Sequence, residues 1–161
     1  MSAVLTFSLL LVGCGKKTTP PSSTVSTAAP VTESAMNAWH QGDAPKAISR
    51  FVETDWSRRP LFAASSTLSL TEDQFKALPD WERRRSEIWL ELDAVKKLAT
   101  AVAQAGRDAA AKGDTAQARK YFISLQQCGI SLDSPDCLSI VQIVGKALKK
   151  TADTELAKIP Q

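Results

Sequence analysis

The chain has 161 residues and a net charge of +3 at pH 7, with 43% hydrophobic and 23% charged residues, which is the balance of an ordinary globular chain with one domain. So small a positive charge excludes a nucleic-acid partner unless the basic side chains cluster on one face. After the first 13 residues, no apolar run approaches the roughly 20 residues of a membrane-spanning helix, which excludes a transmembrane protein.

The first predicted element is an apolar leader that ends in Leu11-Val12-Gly13-Cys14. This tetrapeptide resembles a lipobox, at which bacterial signal peptidase II cuts just before a lipid-modified cysteine. The resemblance implies a bacterial lipoprotein, with a signal peptide over residues 1–13 and a mature chain anchored to a membrane by a lipid on Cys14. A basic start is missing from Met1 to Leu5, which departs from the usual signal peptide. The missing basic residues leave two alternatives open. Translation could start further upstream, or the apolar segment could be buried in the fold rather than removed as a signal peptide.

Residues 14–34 are predicted to form a disordered linker. Nine of the 20 residues from Gly15 to Ser34 are Ser or Thr and three are Pro, so the segment has little apolar surface to bury. Lys16 and Lys17 lie beside the predicted anchor, where they would contact anionic headgroups or serve only solubility.

An all-α domain is predicted over residues 35–157. A first helix ends at Gly42, where glycine suits the left-handed cap, and Asp43 caps the second helix. The second helix has an apolar stripe typical of an amphipathic helix, formed by Ala44, Ala47, Ile48, Phe51, Val52 and Trp56.

The middle of the chain is predicted to contain a break, a short helix and a long one. Arg59-Pro60 ends the second helix, and Thr71-Glu72-Asp73-Gln74 is a capping box for a helix that stops at Pro79. From Asp80 to Ala111, apolar residues recur at intervals of three and four, which predicts a helix about 48 Å long. Gly106 would mark a bend in it.

Two further helices are predicted after this long helix. Asp114 caps a helix that ends near Gly129, and Ser134-Pro135 begins the last helix, which reaches Lys149-Lys150. No part of the chain alternates for long like a strand.

A ten-residue phrase, G-D-x-x-x-A-x-x-x-F, occurs twice, 71 residues apart. It resembles the middle of a tetratricopeptide repeat, which implies paired antiparallel helices joined by a tight turn. The spacing is close to two repeat periods, but no third copy lies between, so a generic helical bundle stays open. The helix-turn motif residues are Gly42, Asp43, Ala47 and Phe51 in the first copy, and Gly113, Asp114, Ala118 and Phe122 in the second.

Cys128 and Cys137 remain as a pair once Cys14 is assigned to the lipid. In an exported chain such a pair favours a disulfide, worth roughly 2–3 kcal/mol for a loop of this size. Two free, buried thiols are the alternative.

Residues with catalytic or metal-binding chemistry are sparse. His40 is the sole histidine, so a histidine metal cluster is not expected, and no metal or other cofactor is predicted. Glu87, Glu91 and Asp93 lie near one another, but Arg83, Lys96 and Lys97 are spaced to form helix ion pairs with Glu87 and Asp93.

Aromatic and basic groups give two further patterns. Arg83-Arg84-Arg85 is expected to be a solvated helix face, with binding of an anion as the alternative. The four tryptophans, at 39, 56, 81 and 89, suggest either carbohydrate binding or core packing, and their places on apolar stripes favour the core.

We therefore expect a non-enzymatic adaptor that is tethered to a membrane of the bacterial cell envelope, inner or outer, and contacts an envelope protein. No catalytic residue is assigned. The first alternative is a lipoprotein that binds an apolar or anionic small ligand between its helices. The second is an enzyme, such as a hydrolase of unknown type, although no nucleophile-elbow motif is present.

Overall fold

The computed structural model describes residues 29–160, which form six α-helices and one 3₁₀ turn, with no strand among them. The prediction of an all-α fold is confirmed. The helices are α1 (Glu33–His40), α2 (Ala44–Glu53), α3 (Glu72–Lys76), α4 (Trp81–Ala111), α5 (Thr115–Leu132) and α6 (Ser139–Leu156), and the 3₁₀ turn spans Thr67–Ser69.

Two tight turns join α1 to α2 and α4 to α5. Gly42 and Gly113 have φ angles of 78° and 80°, in the left-handed region that glycine adopts without a Cβ clash. The next residue then caps the following helix, since Asp43 accepts from Lys46 N at 3.1 Å and Asp114 accepts from Gln117 N at 3.0 Å. Each turn therefore reverses the chain and starts the second helix within a few residues.

Helix α4 is the long helix of the domain, with 31 residues and a length of about 46 Å. Its inward stripe contains eight buried residues: Ile88, Leu92, Val95, Leu98, Ala99, Val102, Ala103 and Gly106. Gly106 serves close packing rather than the expected bend, because a Cβ there would lie 2.7 Å from Cζ of Phe122. The missing side chain lets the aromatic ring of α5 pack on the backbone of α4.

Helices α5 and α6 pack closely where a glycine of one helix faces a glycine of the other. Gly129 does not end α5 as expected; the helix continues to Leu132, and Gly129 faces Gly145 of α6. The last helix also begins later than predicted, because Ser134-Pro135 forms a turn in which Cys137 N donates to Ser134 O at 3.0 Å. Helix α6 starts at Ser139, after Leu138.

The segment between α2 and α3 is fixed to the rest of the domain by hydrogen bonds. Trp56 is buried, and its Nε1 donates to Phe51 O at 3.2 Å and to Ser124 Oγ at 3.3 Å. Thr32 Oγ1 donates to Leu61 O at 2.7 Å. The indole and the threonine hydroxyl therefore join three distant parts of the chain.

The domain extends beyond both of its predicted ends. Thr32 is buried, so the last residues of the predicted linker belong to the fold. Ile159 is also buried, and its carbonyl accepts from Arg119 at 3.5 Å. The packed domain therefore spans at least residues 32–159 rather than 35–157.

Candidate binding groove

An open groove of about 530 Å³ runs between α1, the segment 62–68 and α4. We call it the α1–α4 groove. Its walls are mostly apolar, and the apolar side chains that line it are Pro30, Met36, Phe62, Ala63, Leu68, Leu90, Ala94 and Val95. A concave apolar surface with a few polar groups is the usual form of a binding site.

Leu90 is the most exposed apolar residue of this groove, at 75%. It lines the groove but lies outside the buried stripe of α4. In the sequence, its only signal is that of an apolar residue that falls off the stripe of α4.

Two glutamates of α4 fix the wall of the groove opposite α1. Glu91 accepts hydrogen bonds from Ser66 Oγ and, at 3.3 Å, from Thr67 N, and Glu87 accepts from Thr67 Oγ1 at 3.4 Å. Ser66 Oγ also accepts from Leu68 N at 3.1 Å and so caps the 3₁₀ turn. These carboxylates hold a loop in place, a role that helical spacing alone did not indicate.

His40 lines the same groove at the end of α1 and is exposed. The Ser66 hydroxyl donates to Glu91 rather than to the imidazole. Among the hydrogen bonds of residues 29–160, none joins His40 to Ser66 or to Glu91. A nucleophile activated by an adjacent base, which acyl-transfer chemistry needs, is therefore not assembled by these three residues.

Some of the other charged residues of α4 form ion pairs, and two of the predicted pairs, Arg83–Glu87 and Lys96–Asp93, do not form within residues 29–160. Arg83 pairs with Asp80 at 2.6 Å rather than with Glu87, and Lys97 pairs with Asp93 at 2.7 Å. The hydrogen bond from Arg83 is the main cause that holds the pKa of Asp80 below its usual value. Asp80 precedes the helix, so its carboxylate also suits the positive helix N-terminus.

The two copies of the helix-turn motif occupy equivalent places in their hairpins. The alanines and phenylalanines of both copies, Ala47, Phe51, Ala118 and Phe122, are buried, and the glycines and aspartates form the turns described above. These residues build the scaffold around the groove and do not line it. Kinship with the tetratricopeptide repeat itself stays a prediction.

Cys128 and Cys137 are separate buried thiols in the structure, which corrects the predicted disulfide. Cys128 lies in the interior of α5, and burial raises the pKa of its thiol. Cys137 Sγ instead approaches Ser131 O at 3.9 Å.

The expectation that tryptophans pack in the core holds for Trp56 and fails for two others. Trp56 is buried, Trp39 is half-buried, and Trp81 and Trp89 are 42% and 50% exposed. Both exposed indoles lie on the first half of α4, on the side opposite the α1–α4 groove wall. A stripe gives the direction of a side chain but not whether another element covers it.

Several predicted features lie outside the described residues: the leader of residues 1–13, the lipobox with Cys14, and Lys16 and Lys17. None of the helices between residues 29 and 160 is long and apolar enough to cross a bilayer. In that same part of the chain, no three His, Cys, Asp or Glu side chains group as metal ligands would.

No protein-family model, curated protein or solved structure matches this chain.

Proposed function

We propose that this protein is a membrane-tethered, non-enzymatic interaction module of the bacterial cell envelope, and that a partner protein inserts an apolar segment into the α1–α4 groove. The observation that carries the proposal is the groove itself, with the exposed Leu90 in its lining. Exposed apolar surface framed by polar residues marks a contact site. The lipobox-like leader supplies the tether.

The groove suits a protein segment because one wall is fixed by its own hydrogen bonds. The contacts of Glu91 with Ser66 and Thr67 hold the segment 62–68 against α4 in the free protein. A pre-formed wall lowers the ordering cost of binding. A tether then raises the local concentration of the module near a membrane complex without any new contact surface.

A small apolar ligand is the second candidate for the same groove. Its volume of about 530 Å³ lies within the roughly 300–1,000 Å³ typical of small-molecule sites. Native mass spectrometry of the protein extracted from its membranes separates the two functions. A ligand of constant added mass that Leu90→Trp displaces would favour the small molecule.

Photocrosslinking in native membranes tests the partner. A photoreactive amino acid at Met36 or at Leu90 should give the same adduct, whereas the same group at Ile143, which is exposed but lies outside the groove, should not. Leu90→Ala should reduce the Met36 adduct. Adducts that appear equally from all three positions, or from none, would contradict the proposal.

The tether is tested separately by replacing the predicted lipid-bearing residue. Cys14→Ala should move the protein from the membrane fraction to the soluble fraction, with thermal unfolding of the domain unchanged. If the variant stays in the membrane fraction, the lipid anchor is wrong, whatever the groove binds.

A further inference from the structure

A second concave surface lies between α3, the first half of α4 and the start of α6. It has a volume of about 250 Å³, and its apolar lining includes Phe75, Trp81, Ile88, Trp89 and Ile140. We call it the tryptophan cleft. It shares no lining residue with the α1–α4 groove, so the two surfaces can be altered independently.

Trp81, Arg85 and Trp89 follow one another at intervals of four along α4, and all three line the cleft. Residues four apart are neighbours on a helix surface, so Arg85 lies between Trp81 and Trp89 along this face of α4. Both indoles are about half exposed. Tryptophan and arginine are the residues on which binding energy at protein interfaces concentrates.

The charge of the cleft is set by Arg85. Within residues 29–160 this guanidinium makes no ion pair or hydrogen bond, whereas its neighbours Arg83 and Arg84 are paired with Asp80 and Glu87. The cleft's own carboxylate, Glu72, is already engaged by Ser139 N at 3.1 Å, Ser139 Oγ at 3.0 Å and Lys76 Nζ at 3.5 Å. The available charge in the cleft is therefore positive.

We propose that the tryptophan cleft binds a segment of a partner protein that places a bulky apolar side chain between Trp81 and Trp89 and a carboxylate on Arg85. A charged hydrogen bond of this kind is stronger than a neutral one and can be bidentate. The inference goes beyond the function proposed for the α1–α4 groove, because it adds a second surface with a different partner chemistry.

A protein segment fits the cleft better than an anionic membrane surface does. Binding to anionic lipids relies on clusters of about four to eight basic residues. Among residues 29–160, Arg85 is the one basic residue that lines this cleft, and the exposed Glu82 lies within one turn of it. One cation between two indoles suits a single carboxylate.

The probe is a phage-displayed library of random 12-residue peptides, selected against the full chain held in zwitterionic lipid nanodiscs. We expect the selected peptides to be enriched in Asp or Glu next to Trp, Phe or Leu. Trp89→Ala and Arg85→Glu should each weaken binding of the best synthetic peptide at least about tenfold. Ile130→Ala and Ile143→Ala, which change exposed apolar residues outside both the cleft and the α1–α4 groove, are the matched controls and should leave the affinity unchanged.

A charge swap makes the result specific. A peptide with Lys in place of its acidic residue should bind Arg85→Glu better than wild type, and thermal unfolding should show that all variants remain folded. Selection of basic peptides, equal binding to Arg85→Glu, or no selection at all would overturn the proposal. So would binding of anionic vesicles that Trp89→Ala abolishes, since the surface would then face lipid.

Discussion

Gly129 of α5 and Gly145 of α6 bring the backbones of their helices into direct contact. A Cβ built on Gly129 would lie 2.8 Å from Gly145 O, and one built on Gly145 would lie 2.7 Å from Gly129 O. Neither neighbour is a side chain that could rotate away. The two helices can therefore lie at this distance only with glycine at both positions.

Gly129→Ala and Gly145→Ala should each lower the free energy of unfolding by about 2–3 kcal/mol, because the helices must separate to admit a methyl group. Gly106→Ala is the matched comparison, since its Cβ would meet the ring of Phe122 rather than backbone. We expect a smaller loss at Gly106, because a ring can shift where a backbone cannot; the gain of about 1 kcal/mol in helix propensity is common to all three positions, since each glycine lies within a helix. Urea unfolding followed by circular dichroism measures all three. A loss of unfolding free energy at Gly106→Ala equal to that at Gly129→Ala and Gly145→Ala, or a gain in stability at Gly129→Ala, would contradict the described packing.

The contrast between these glycines shows what the sequence could and could not predict. The sequence predicts the turns at Gly42 and Gly113 because their signal is local, a glycine followed by a capping aspartate. Gly106, Gly129 and Gly145 act through partners on another helix, which the sequence around them does not record. The sequence therefore predicts a bend at Gly106 and a helix end at Gly129, where the structure has contacts between helices.

Asp43 and Asp114 should contribute equally to stability, because each caps its helix through the same backbone hydrogen bond. We expect Asp43→Ala and Asp114→Ala each to lower the free energy of unfolding by about 1 kcal/mol. The double variant should lose close to the sum, because the caps share no partner. Asp93→Ala, which removes only an exposed ion pair with Lys97, should lose less than about 0.5 kcal/mol. A loss at Asp93 as large as at the caps would contradict this account.

Cys128 and Cys137 should behave as free thiols that burial protects. Burial raises the pKa of both thiols, and the thiolate is the reactive form. Iodoacetamide at pH 8 should therefore modify neither residue within the time that labels an exposed thiol. In urea, without any reductant, both should react, as mass spectrometry of the peptides would show. If the two cysteines react in urea only after a reductant is added, they form a disulfide and this prediction is wrong.

The surfaces of α4 illustrate a second limit of sequence reasoning. Its stripe of apolar residues predicted the buried face correctly, including Ile88, Leu92 and Val102. Trp81 and Trp89 flank that stripe but stay exposed, since the short α3 and the late start of α6 at Ser139 cover only one side of them. The width of a covered face depends on where neighbouring elements end, and those ends were the least accurate part of the prediction.

Glu72 connects α3 to α6, and this contact should make the stability of the domain depend on pH. The hydrogen bonds from Ser139 N and Ser139 Oγ, helped by Lys76, hold the pKa of Glu72 below its ordinary value. Since the folded-state pKa is the lower one, the stabilisation is fully present above the unfolded-state pKa of about 4.3. It is lost as the pH falls through the folded-state value.

Ser139→Ala removes one of the two hydrogen bonds that lower the pKa of Glu72, so the pKa should rise. The rise should stop short of the ordinary value, because the backbone N–H of residue 139 still donates. A carbon-13 titration of the Glu72 carboxyl measures the change directly. Glu72→Gln should weaken the acid dependence of unfolding, since the glutamine at this position does not titrate. Ser134→Ala is the control, as Ser134 bonds to Asp136 and not to Glu72. An identical Glu72 titration in wild type and Ser139→Ala would show that the Ser139 hydroxyl plays no part in lowering the pKa.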